Sequence, residues 1–192
     1  MSALATAVGP HLFWISSRAA GTAALLLSSA SVGIGVAMGD RLLKGRGPDL
    51  RVTHEALSLA TMAALAVHAL ALLGDGFLKL GVADISIPFA SSYKTLWMSM
   101  GIVGGWLVFL LGLSYYARRR IGQARWRKLH TFTLLAWALG VAHSLGEGTD
   151  AGQAWFLLAT GIVTLPAAAL AISRLGGALG RAGAAPAREA AR

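Results

Sequence analysis

The residues of this 192-residue chain best suited to chemistry are four histidines. His54 and His68 stand fourteen residues apart in RVTHEALSLATMAALAVH (51–68), and His130 and His143 thirteen apart in WRKLHTFTLLAWALGVAH (126–143). Both stretches are otherwise dominated by apolar and small residues, where an imidazole is costly to place and marks a function. At about 1.5 Å per residue, roughly 20 Å separates the two members of each pair along a helix, which fits inside a hydrocarbon core of about 30 Å. Each helix then offers one imidazole at each of two depths. The chain has no cysteine, which removes thiolate metal sites and iron–sulfur clusters and leaves histidine as the soft nitrogen ligand.

Two neutral imidazoles facing one another are what a six-coordinate haem iron takes as axial ligands, with the porphyrin supplying four further nitrogens. A bare Zn²⁺ wants three or four protein ligands, and neither depth offers a carboxylate beyond Glu55. The count therefore points to two haems, each held by one imidazole from either helix. Phase supports this for the first helix: fourteen residues at about 100° return to within roughly 40° of the same face. Thirteen residues leave His130 and His143 about 140° apart, so either a local distortion, with Gly140 as the candidate place, or a helix that crosses the haem pair obliquely is expected.

Six further positions belong to this reading. Arg18 is expected either to snorkel to the interface or to pair with a haem propionate or an anionic acceptor. Trp137, midway between His130 and His143, either packs plainly or sits between the two porphyrins. Arg51, Arg118, Arg127 and Lys128 are placed to neutralise propionates at the other depth, although a solvated role accounts for them equally. His11 lies outside the pattern and reads as a surface residue.

These side chains need a scaffold, and composition sets its class. The chain is 56% hydrophobic and only 13% charged, with mean hydropathy +0.64, which points to an all-α integral membrane protein. The net charge of +9 lies in short tracts between apolar runs rather than on one solvated patch, so nucleic acid is not an expected partner. Five spans are expected: Leu12–Met38, Arg51–Leu73, Tyr93–Tyr116, Trp126–Leu145 and Ala154–Ser173. Met1 to His11 lacks the pattern of a removable signal peptide. Gly47-Pro48 reads as a breaker, Gly74 to Ser92 as a loop lying at the membrane interface with Pro88 ending any helix there, Gly101 and Gly105 as a packing pair, and Pro166 as a kink. Residues 1–173 form one domain and 174–192 a cytoplasmic tail expected to be disordered, with no internal repeat beyond the paired histidine helices.

Of 17 Lys and Arg, all but Arg18, Lys79 and Lys94 fall after the first span, after the third span or in the tail. The positive-inside rule then puts the amino terminus outside and the carboxyl terminus in the cytoplasm. The second and fourth spans run in the same direction, so His54 and His130 share the cytoplasmic depth and His68 and His143 the outer one.

The segments HEALSLATMAALAVH and HTFTLLAWALGVAH, with the basic RRRIGQARWRKLH ahead of the second, resemble the ferric reductase-like transmembrane domain. That domain is shared by ferric reductases, NADPH oxidases and the membrane subunit of periplasmic methionine sulfoxide reductase systems. The resemblance covers roughly Trp14 to Ser173 and implies that His54, His68, His130 and His143 ligate two haems passing electrons outward. It also implies an outer-haem role for Arg18 and an inter-ligand aromatic in Trp137. Larger members often have six spans, against five here, and many continue into flavin and nicotinamide domains, for which the tail has neither room nor a dinucleotide fingerprint.

The expected function is therefore an electron conduit in a plasma or bacterial inner membrane. It takes electrons from a separate flavoprotein reductase or from quinol and delivers them to an acceptor or redox partner at the outer face. Two other classes remain open at this point: a transporter or proton channel using the histidines as relays, and a structural anchor subunit of a redox complex.

Overall fold

The structure is a computed structural model that describes residues 2–40, 42 and 47–189, with side chains described for 11–40, 42 and 47–177. The described residues are all-helical, without strands. Four helices are long and apolar enough to cross a bilayer: α1 (Ser2–Gly39), α2 (Gly47–Leu73), α4 (Thr95–Leu113) and α8 (Ala154–Glu189). Their outer faces carry large apolar side chains, among them Leu70, Leu110, Leu158 and Ile162. That is the reverse of a water-soluble bundle and matches hydrocarbon as the surrounding solvent.

Helix α1 is the scaffold. It packs along α2 and also against α8 and against α7 (Thr133–Glu147), while α4 packs along α7. The contacts of α1 rest on small polar residues: Ser17, Ser29 and Ser31 are all buried, Ser29 completely. Ser29 Oγ accepts the indole N–H of Trp137 from α7 at 3.0 Å and lies 3.2 Å from the Thr164 hydroxyl of α8. Three helices therefore meet at a single side chain of two heavy atoms, which allows close backbone approach.

Several boundaries differ from the sequence reading. Helix α1 begins at Ser2, ahead of the expected Leu12. Gly47-Pro48 opens α2 instead of breaking the chain, because proline is well suited to a first helical turn, where its missing N–H costs no bond. Of the expected polar turn, Arg41 and residues 43–46 lie outside the described residues. Helix α8 runs unbroken past Pro166 and past the expected boundary at Ser173 to Glu189, a stretch rich in the helix-favouring Ala, Leu and Arg. Residues 190–192 lie outside the described residues. The close approach between α4 and α7 uses Gly101 and Gly104, whose added Cβ atoms would press on His143 and on the Ala136 carbonyl, whereas Gly105 faces open space.

The largest difference lies in the expected fourth span. It divides into α6 (Gln123–His130) and α7, with a turn at Thr131–Phe132. Here the backbone tightens to i→i+3 bonds, Thr131 N to Lys128 O, Phe132 N to Leu129 O and Leu134 N to Thr131 O. The Thr131 and Thr133 hydroxyls take the carbonyls of Lys128 and His130, a competition that favours such turns. Each residue wound at about 120° rather than 100° adds about 20°, so three of them recover about 60° of the 140° histidine mismatch. The distortion is thus at Thr131–Phe132 and not at Gly140, which lies inside α7.

The segment between α2 and α4 carries a short helix, α3 (Val82–Ser86), that ends two residues before Pro88. It is tied to α4 by the Trp106 indole donating to the Ser86 carbonyl and by the Phe89 amide donating to Ser99. Phe77, Val82 and Phe89 project outward, as suits a segment at a membrane boundary. Between α4 and α6, α5 (Arg118–Ile121) carries the arginine run.

Replacing Ser29 with Leu is expected to lower stability by about 1–3 kcal/mol through overpacking, whereas Ser29→Ala, which only removes the acceptor, costs about 1 kcal/mol. Thermal unfolding of the purified protein in detergent checks the order of the two.

Candidate haem-ligating site

Helices α2, α6 and α7 bring the four histidines into two facing pairs. The ring centroids of His54 and His130 lie 6.1 Å apart with planes at 83°. Those of His68 and His143 lie 6.2 Å apart with planes at 73°. The pairing is the one expected from the sequence, and it arises in a fold in which the two histidine-bearing stretches are held mainly by α1 and α4 rather than by each other.

Three of the four rings are tethered from behind by a hydrogen bond. His54 Nδ1 donates to the Ser31 carbonyl at 2.9 Å and His68 Nδ1 to the Ser17 carbonyl at 2.8 Å, both on α1. His143 Nδ1 donates to the Trp97 carbonyl on α4 at 2.8 Å. His130 Nδ1 is buried beside the Leu111 carbonyl of α4 without closing to an ordinary hydrogen bond, and its ring stacks on Trp126 at 5.0 Å. A proton held on Nδ1 leaves the Nε2 lone pair free to face the opposite ring.

The separation decides what fits between the rings. Metal–imidazole bonds of about 2.0 Å, with each ring centre a further ~1.1 Å beyond its nitrogen, set the centroids of two opposed ligands about 6.2 Å apart. Facing nitrogens about 4 Å apart are beyond direct hydrogen-bond reach. Among the described residues no three His, Cys, Asp or Glu side chains gather as a bare metal ion would need. The donor set at each depth is two imidazoles, which is the complement that a porphyrin leaves open on its iron.

All four histidines line one cavity of about 1150 Å³, above the ~300–1,000 Å³ typical of a single small-molecule site. Apolar and small residues of α1, α2, α4 and α7 form most of its wall, and Trp137 lines it between the two pairs. At the His54 end Arg51, Arg118 and Arg127 line the mouth, joined by Arg174 of α8; Lys128 does not. At the same end the Tyr116 phenol donates to Glu55 at 3.0 Å, and that bond holds its proton above the ordinary phenol range.

Arg18 also lines the cavity, at the His68 end. Its guanidinium pairs two-pronged with Asp150, with Nε 3.0 Å from Oδ2, and lies 4.1 Å above the Trp14 ring. Asp150 therefore holds the face that was expected to meet a propionate or an anionic acceptor. His11 is exposed, outside the cavity. Sequence reasoning missed Ser17, Ser31, Asp150 and the carbonyls of Trp97 and Leu111. Backbone acceptors have no side-chain signature, and Ser17 and Ser31 look like ordinary helix-packing residues. Comparison of the chain with protein-family models, curated proteins and solved structures finds no match.

Loss of the ion pair in Arg18→Ala is expected to cost roughly 1–2 kcal/mol by leaving Asp150 unpaired. Arg18→Lys should restore only part of it, because an ammonium cannot make both prongs; chemical unfolding in detergent reads the difference.

Proposed function

We propose that this chain is a transmembrane electron-transfer subunit holding two b-type haems, His54 and His130 binding one and His68 and His143 the other. The observation that carries this reading is the pair of imidazole separations, 6.1 and 6.2 Å, at two depths about 21 Å apart along α2. When bound, the haems supply reversible one-electron iron chemistry at potentials set by ligation, burial and nearby charge.

The protein's own part is positional. The imidazoles hold the irons, the carbonyls behind them orient the rings, and the apolar walls exclude water. Arg51, Arg118 and Arg127 offset carboxylate charge at the basic mouth, and Trp137 is held by Ser29 between the two depths. In this reading α6 and α7 together complete a fifth span, the amino terminus is outside and the basic end faces the cytoplasm. A flavoprotein reductase or quinol donates at that side, and a chelate, oxygen or redox partner accepts at the other. The composition, rich in Ala, Gly and Arg, suits a bacterial inner membrane. The histidine spacing shared with ferric reductase-like domains supports the same assignment. A proton relay is less well supported, since the paired rings stand too far apart to exchange a proton directly.

The test is an absorption spectrum with haem stoichiometry on the purified protein. Two low-spin haems per chain are expected, with His68→Ala and His54→Ala each retaining one, at opposite depths. A wild-type protein without a haem band, or both bands surviving the two substitutions, overturns the proposal.

A further inference from the structure

Helix α1 contains a repeat that the histidine helices do not show by themselves. Ser17 and Gly21 stand four apart, Ser31 and Gly35 stand four apart, and the two Ser-xxx-Gly units are fourteen residues apart, the same interval as His54 to His68. Because α1 and α2 run antiparallel, the first unit meets His68 and the second His54.

The contacts of the two units match. A Cβ added to Gly21 would come within 3.0 Å of His68 Nδ1, and one added to Gly35 within 3.1 Å of His54 Cε1. Each glycine is thus the flat seat on which an imidazole rests, and alanine would push the ring by a few tenths of an ångström. Each serine adds a second acceptor beside its own carbonyl: Ser17 Oγ lies 3.0 Å from His68 Nδ1 and Ser31 Oγ 3.0 Å from His54 Nδ1.

The hydroxyl protons are accounted for elsewhere. Ser58 donates to the His54 carbonyl at 2.7 Å, and Ser31 in turn donates to Ser58 at 2.9 Å, so the Ser31 lone pairs face the ring. Ser17 donates to the His68 carbonyl at 3.3 Å with the same result. Both imidazoles therefore meet two acceptors at Nδ1, which keeps the proton on that nitrogen and strengthens Nε2 as a donor to metal. On α4 the carbonyls of Trp97 and Leu111 also stand fourteen residues apart. There the glycine half recurs once, without a serine: Gly101 seats His143, with a Cβ contact of 2.6 Å, while the corresponding residue after Leu111 is Tyr115.

We propose that Ser17–Gly21 and Ser31–Gly35 form a duplicated imidazole cradle, positioning residues that set the tautomer, tilt and ligand strength of His68 and His54 separately. This rests on the haem assignment above and adds to it a tuning role for side chains that act on the iron through the imidazoles.

The experiment uses the full chain in detergent, with redox titration and low-spin electron paramagnetic resonance resolved for the two haems. Ser31→Ala is expected to raise the potential and shift the low-spin signal of the His54 haem alone, and Ser17→Ala those of the His68 haem alone, with haem content unchanged. Ser31→Thr, which restores a hydroxyl, should return toward wild type, and Ser16→Ala, on the exposed side of α1, should change neither. Gly101→Ala should lose the His68–His143 haem, halving haem content. If wild type binds two haems but the serine variants leave both potentials and signals unmoved, or move both haems equally, the cradle is refuted while the haem assignment stands. A wild type without haem refutes the assignment itself.

Discussion

An imidazole has two nitrogens, and among apolar helices each needs a polar partner. That constraint organises this molecule. Three of the four histidines satisfy Nδ1 on a helix carbonyl from α1 or α4, and the fourth lies beside one. Helix carbonyls are normally occupied by their own ladder, so a ring reaches them only where a neighbouring helix comes unusually close. The glycines and serines of α1, and Gly101 and Gly104 of α4, are what permit that approach. With Nδ1 held in three of the rings, Nε2 is left free, and each ring stands about 6 Å from the ring opposite.

From this follow the roles of the other helices. Helices α1 and α4 present carbonyls at a fourteen-residue interval, and α2 matches that interval with its own. The other histidine-bearing stretch has an interval of thirteen and cannot match it as an unbroken helix. The turn at Thr131–Phe132 corrects part of the phase and leaves His130 at the end of α6, stacked on Trp126. The two pairs then close to nearly equal separations despite unequal spacing in sequence.

The ends of the cavity differ in charge. The His54 end gathers arginines from α2, α5, α6 and α8, while at the His68 end Arg18 is tied to Asp150. Under the proposed function this asymmetry would distinguish the two haem environments as much as the ligands do, because the four ligands are the same residue type. Trp137, fixed by Ser29 between the depths, belongs to the scaffold and to the cavity wall at once.

Hydropathy by itself marked out apolar helices long enough to cross a bilayer, and the histidine intervals, taken with the alternation of spans read from the basic tracts, indicated which imidazole faces which, since depth follows from helical rise. The intervals also implied that one helix is distorted or crosses obliquely, because thirteen residues cannot return to the starting face. Only the tertiary structure decided where that distortion lies, that Arg18 meets Asp150, and that Ser17, Gly21, Ser31 and Gly35 stand behind the rings. Those outcomes depend on how closely helices distant in sequence approach. A carbonyl acceptor or a missing Cβ has no chemical identity along the chain until another helix is laid against it.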